Sequence, residues 1–156
     1  MKVSVIIGVY QHLSDCTKPC CESIIRNTTL DPEQIEIIIV GNGCTDGTKE
    51  YVQSLGPCFK YLDFPDPLGY ARANNEGIKV ATGNYIILLN NDTVILDWKK
   101  DMWIDMLIEA FEKNPKCGIS GPSMGYSGPA DANFLIFFCV MISRKCLDEL
   151  VIYKEL

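Results

Sequence analysis

Three stretches of this chain are apolar almost without interruption: Val3 to Val9 (VSVIIGV), Ile35 to Val40 (IEIIIV) and Tyr85 to Leu89 (YIILL). They are rich in β-branched residues, and none shows the strict polar-apolar alternation of a strand with one wet face. Continuous runs of this length, bounded by turn residues, are strands covered on both sides. Between them lie segments with helical character. Pro19 suits a first helical turn and Cys20 to Asn27 continues it. The Thr45-Asp46-Gly47-Thr48 cluster can cap a short helix reaching about Leu55. Gly69 to Thr82 has helical spacing at Ala71, Asn75, Ile78 and Ala81, with Gly83 as its stop. Trp98, Met102, Met106, Ala110 and Phe111 mark another amphipathic helix. FKYLDF (Phe59 to Phe64), CGISGP and FLIFFCVMI (Phe134 to Ile142) read as further strands. Strand and helix in alternation define an α/β domain around a mainly parallel sheet.

That architecture has a chemical corollary. In open α/β sheets, ligands bind beyond the carboxyl ends of the strands, where the loops converge. The segments expected on this rim are Val9-Tyr10-Gln11, Gly41-Asn42-Gly43, Asp63 to Pro67, and Asn90-Asn91-Asp92. The last of these raises a question, because an apolar strand there ends in two amides and a carboxylate. A carboxylate on a rigid strand end suits a hard divalent cation, which takes one or two carboxylates together with substrate phosphates. The same residues also favour a simple turn. Asn75 is expected on a packed helix face, where a buried amide needs a partner. Arg72 fits either a surface ion pair with Glu76 four residues on or a phosphate contact.

Composition narrows the partners. The formal net charge is −6 and there is no Lys/Arg cluster, which disfavours nucleic acid and anionic membrane surfaces. The longest late apolar run, Phe134 to Ile142, is about half of what a membrane-crossing helix needs. A cytoplasmic location, or the inner face of a membrane reached through another segment, is the expectation. There is no G-x-G-x-x-G after the first strand and no P-loop, so nicotinamide and P-loop enzymes are disfavoured. The eight cysteines lack any C-x-x-C pair, and His12 is remote from most of them. Reduced structural thiols are therefore expected, with Cys16, Cys20 and Cys21 the one cluster of note.

Four segments in order, VSVIIGVYQ, IEIIIVGNGCTDGT, GYARANNEGIKVATGNYIILLNNDT and CGISGP, resemble the family 2 glycosyltransferases. The resemblance implies a GT-A fold, a three-layer α/β/α sandwich with a mainly parallel central sheet. It implies an inverting, metal-dependent transfer of a sugar from a nucleotide-sugar donor to a glycan or lipid-linked saccharide acceptor. Asn90-Asn91-Asp92 then stands in the place of the family's D-x-D motif, with Asp92 as ligand to Mg²⁺ or Mn²⁺. Gly8, Val9, Tyr10 and Asn42 would line the base and ribose pocket. Arg72 and Asn75 fall in the segment facing the nucleotide sugar, and Asn90 and Asn91 join the substrate-binding set. Gly41 replaces an aspartate of the family pattern, which implies one lost nucleotide contact. Residues 1–156 are expected to form a single domain whose acceptor and base portion is missing, the catalytic base being expected beyond Leu156. The alternative is a non-catalytic or truncated nucleotide-sugar binding module.

Overall fold

The computed structural model describes residues 1–122, 135 and 137–149. Its elements follow in order: β1 (Val3–Val9), α1 (Lys18–Asn27), β2 (Ile35–Asn42), α2 (Thr48–Gln53), β3 (Phe59–Phe64), α3 (Tyr70–Val80), β4 (Tyr85–Leu89), α4 (Met102–Lys113), β5 (Ile119–Ser120), β6 (Cys139–Ser143) and α5 (Arg144–Glu149). A wide π-type turn, Leu13–Thr17, precedes α1.

The strands form one sheet in the order β3-β2-β1-β4-β6-β5. The first four are parallel, with Val3 opposite Ile35 and Tyr85. The β6 strand runs antiparallel to β4, and β5 antiparallel to β6. The three apolar runs are thus the three central parallel strands, and burial on both faces explains why they do not alternate. One face carries α1, α2 and α4, whose Cys20, Ile24, Val52 and Leu107 pack with Val5, Ile7 and Ile37. The other carries α3 and α5, whose Ala73, Ile78 and Leu147 pack with Ile6, Ile38 and Val140. This is the expected three-layer sandwich.

Several local expectations shift. The packed face of α3 is Ala73, Asn74, Gly77 and Ile78, and Ala71 is exposed. Asn74 is therefore the buried amide, giving its side-chain N–H to the Tyr70 carbonyl at 3.0 Å, and Asn75 is only partly buried. The reason is Gly77, which carries no hydrophobic signal yet forms the closest contact. A methyl group there would overlap Ile6 Cγ2. Helix α4 begins at Met102, not Trp98, because Asp101 adopts a left-handed backbone (φ 67°) and its carboxylate accepts from Thr29 N and Oγ1, each at 2.7 Å. The strand expected over Phe134–Ile142 is confined to Cys139–Ser143; residues 134 and 136 lie outside those described.

The Gly77 contact yields a test. Alanine normally gains about 1 kcal/mol over glycine in a helix. Overpacking a rigid core costs about 1–3 kcal/mol, and Ile6 is fully buried with no room to yield. Gly77→Ala is expected to lower the melting temperature by several degrees, as read by differential scanning calorimetry. A rise would mean that α3 lifts freely from the sheet.

At the amino-terminal edge of the sheet sits a buried carboxylate. Glu36 is 2% exposed. One oxygen accepts from Ser4 Oγ at 2.6 Å, from Thr82 N at 2.7 Å and from Thr82 Oγ1 at 2.9 Å. The other accepts from Lys60 Nζ at 2.6 Å. This clasp joins β1, β2, β3 and the approach to β4, far from the rim where the loops gather.

Candidate functional site

The chain leaves β1 towards β2 and β3 on one side, then crosses back to β4 on the other. Strand order reverses beside β1, and such a switch point is where α/β sheets open a crevice. A cleft of about 470 Å³ lies there. All four expected rim segments reach it: Val9 and Tyr10 at the end of β1, Asn42 at the end of β2, Pro67 after β3, and Asn91 and Asp92 after β4. Gly8 also lines it, and a Cβ there would sit in ordinary contact with Ala73 Cβ at 3.6 Å.

One wall is cross-tied. The Gln11 side-chain amide donates to the Gly43 carbonyl at 3.0 Å, and its oxygen accepts from Thr45 N at 3.2 Å. The Asp46 carboxylate accepts from Leu13 N at 2.8 Å and from Thr48 Oγ1 at 2.6 Å. Burial acts to raise the Asp46 carboxyl, but these hydrogen bonds outweigh it and hold the group below its ordinary range. Gln11 and His12 both adopt left-handed backbone, with φ of 54° and 60°. Two such non-glycine residues in succession are costly and persist only where the surroundings hold them. Asn42 accepts from Leu68 N through its side-chain oxygen, which leaves its amide N–H groups for the cleft.

The other wall is β4's extension. Asn90 is anchored by its backbone, N–H to the Phe138 carbonyl at 2.8 Å, and Asn91 donates to Thr17 Oγ1 at 3.3 Å. Asp92 is exposed on the cleft, and among the described residues its carboxylate accepts no hydrogen bond. Of the described side chains lining the cleft it is the one carboxylate, and none is Lys or Arg.

Arg72, Asn75 and Asn90 do not line this cleft. Arg72 is exposed, and Glu76 pairs with Lys79 at 2.7 Å instead of with it. Position 41 also differs from expectation. Gly41 is buried on the α1 and α2 side of the sheet, and a side chain there would overlap the Tyr61 hydroxyl. An aspartate at 41 would run into Tyr61, not into the cleft, so the glycine accommodates the tyrosine. That hydroxyl is buried without a hydrogen-bond partner among the described residues, and burial pushes the phenol up. Sequence reasoning missed His12, Cys16, Gly69, Tyr70 and Ala73 as lining residues. Tyr70 had a signal of sorts: it opens α3 directly after Gly69, whose φ of 79° only glycine adopts freely. Its hydroxyl bonds the Phe137 carbonyl at 3.1 Å.

A sheet of this order, with a carboxylate-ended loop facing two interlocked loops across its switch point, defines an α/β domain of the GT-A type. Solved structures share it: the mannosyltransferase PcManGT from Pyrobaculum calidifontis, in complex with GDP-Man and Mn²⁺, superposes with a TM-score of 0.73 at 16% identity, covering 94% of this chain and 46% of that one. S. aureus TarS 1-349 in complex with UDP-GlcNAc superposes at 0.61 with 20% identity, covering 83% of this chain and 37% of the other. The chain belongs to glycosyl transferase family 2, whose family model matches residues 4–137. Poly-beta-1,6-N-acetyl-D-glucosamine synthase of Staphylococcus epidermidis is 36% identical over 118 residues, covering 74% of this chain. Glycosyltransferase GlyG of Streptococcus pneumoniae is 28% identical over 155 residues, covering 97%. The chain spans 27% of the synthase and 48% of GlyG. Among the described residues, no helix is long and apolar enough to cross a membrane.

Proposed function

We propose that this chain forms the donor-binding domain of an inverting, metal-dependent glycosyltransferase that passes a sugar from a nucleotide sugar to a glycan or lipid-linked saccharide. The observation that carries the reading is electrostatic. A nucleotide diphosphate brings negative charge into a cleft where, among the described residues, Asp92 is the one acidic side chain and no Lys or Arg is present. With no Lys or Arg among the described lining residues, a shared cation suits that ligand, and an exposed, unengaged carboxylate fits Mg²⁺ or Mn²⁺. When bound, the ion neutralises charge developing on the leaving diphosphate. Tyr10, 55% exposed at the cleft mouth, offers a ring on which a base can stack. The free N–H groups of Asn42 would meet acceptor atoms of base or ribose, and Asn91 would orient the carboxylate loop through Thr17.

The acceptor side is supported by a second groove of about 480 Å³ that begins at Thr93 and is lined by Val94, Leu96, Trp98 and Met106. Its apolar wall suits the lipid portion of a lipid-linked acceptor. A non-catalytic donor-binding module is the second reading, favoured because among the described residues no carboxylate besides Asp92 lines the cleft to serve as acceptor base.

A thermal-shift series with UDP-, GDP- and dTDP-sugars, with and without Mn²⁺, tests the proposal. One donor is expected to raise the melting temperature, and only when the ion is present. No shift with any donor would overturn it. Release of free nucleotide from the matching donor, in the presence of acceptor, separates turnover from binding alone.

A further inference from the structure

We propose that His12, Asp15 and Cys16 form a separate cation site at the cleft mouth, selective for a thiophilic divalent ion of the zinc type. It is independent of the role proposed for Asp92. The wide turn creates it: Cys16 N and Thr17 N both donate to the His12 carbonyl, at 3.1 and 3.0 Å. In one such turn, residues separated by three and four positions share a side. The imidazole, carboxylate and thiol thus come together, with one ligand atom of each within 4.8 Å of the others. His12 Nδ1 and Asp15 Oδ2 are already 3.0 Å apart.

The ligand chemistry selects the metal. Zinc binds nitrogen and oxygen at about 2.0–2.2 Å and sulfur at about 2.3 Å in a tetrahedron, which spaces its ligands roughly 3.3–3.8 Å apart. The widest separations, up to 4.8 Å, must therefore close by about an ångström while the 3.0 Å His12–Asp15 pair opens slightly, and both of those side chains are well exposed, at 65% and 62%. A histidine-carboxylate pair of this spacing is ordinary on a protein surface; the thiol one residue further on is not. Sulfur and imidazole favour zinc over Mg²⁺ or Mn²⁺, whereas the oxygen donors at Asp92 favour the harder ions. Among the described residues Asp15 pairs with His12 and with no Lys or Arg, so a cation at the cluster competes only with the imidazole for its charge. Three protein ligands leave a fourth position open, as in zinc sites that exchange a ligand. The sequence hid this cluster, because its H-x-x-D-C spacing matches no paired-cysteine zinc pattern.

Cobalt titration of the reduced chain tests the site, Co²⁺ standing in for zinc as a visible probe. The expected result is a thiolate-to-cobalt charge-transfer band together with tetrahedral d–d bands, displaced by Zn²⁺ and untouched by Mg²⁺. Cys16→Ser should abolish the charge-transfer band. His12→Ala and Asp15→Asn should each weaken cobalt affinity by at least about tenfold, the scale seen even for outer partners of metal ligands. All three side chains are at least partly exposed, so the variants are expected to fold, as far-ultraviolet dichroism will report. Asp92→Ala should leave the bands intact. Absence of a charge-transfer band in the parent chain, its survival in Cys16→Ser, or its loss in Asp92→Ala would each overturn the proposal.

Discussion

Alanine at position 92 is expected to remove the manganese-dependent part of nucleotide-sugar binding while leaving the fold untouched. The two halves of that result have different physical origins. Asp92 is exposed and accepts no hydrogen bond among the described residues, so truncating it disturbs nothing that holds the chain together. Surface changes of this kind stay within about 0.5 kcal/mol. The loss of binding is larger. A donor present at about a hundred times its dissociation constant stabilises the folded state by about 2.7 kcal/mol. For a chain of this size that corresponds to roughly 5–10 °C in melting temperature. The Asp92→Ala variant should lose this increment and keep the melting temperature of the ligand-free parent. Calorimetric titration giving the same Mn²⁺-dependent affinity for both chains would remove Asp92 from the metal site.

Glu36 marks the second large effect, and it concerns the frame instead of the cleft. Glu36→Ala strips four donors of their acceptor: the Ser4 hydroxyl within the sheet, the Thr82 N–H and hydroxyl at the approach to β4, and the Lys60 ammonium. Lys60 is half exposed and can turn to water, so the cost falls on the donors left without their acceptor, about 1–3 kcal/mol, against a domain stability of about 5–15 kcal/mol. A fall of several degrees in melting temperature is expected. Acid should mimic the mutation. Burial acts to raise the Glu36 carboxyl, yet hydrogen bonds from Lys60, Ser4 and Thr82 outweigh it and hold the group at about 2, against an ordinary 4.5. A depressed carboxyl stabilises the fold fully above its unfolded value and loses that contribution as pH falls through the folded one. The stabilisation should therefore fade between pH 4.5 and about 2. Glu36→Gln, which keeps the shape and removes the titration, should show a flatter melting profile over that window. Parallel profiles would show that the clasp carries no charge-dependent stability.

What the sequence revealed follows from how each feature is encoded. The three central strands were legible because burial on both faces leaves an unbroken apolar run, and the rim followed because loops must leave strand ends. Asp92 was visible as a polar break directly after such a run. The face of α3 was misjudged because its closest contact belongs to Gly77, a residue defined by what it lacks. Trp98 read as helical because its spacing continues into Met102, whereas the helix start is set by Asp101 reaching back to Thr29. No local pattern couples residues that far apart. The same holds for Glu36, whose partners at 4, 60 and 82 meet only in three dimensions. The antiparallel β6 also left no mark, since strand direction depends on the route of the connection and not on the strand's composition.

The interlocked loops after β1 and β2 have one more consequence. Gln11, Asp46 and their partners hold that wall in its final shape before any ligand arrives. An incoming molecule therefore does not have to freeze that part of the chain, and the entropy of ordering was spent during folding. Among the described residues the opposing strip, Asn91 and Asp92, has one long side-chain tie to Thr17. Fewer side-chain links hold that strip than hold the loops facing it, so more of the ordering cost of capture falls there.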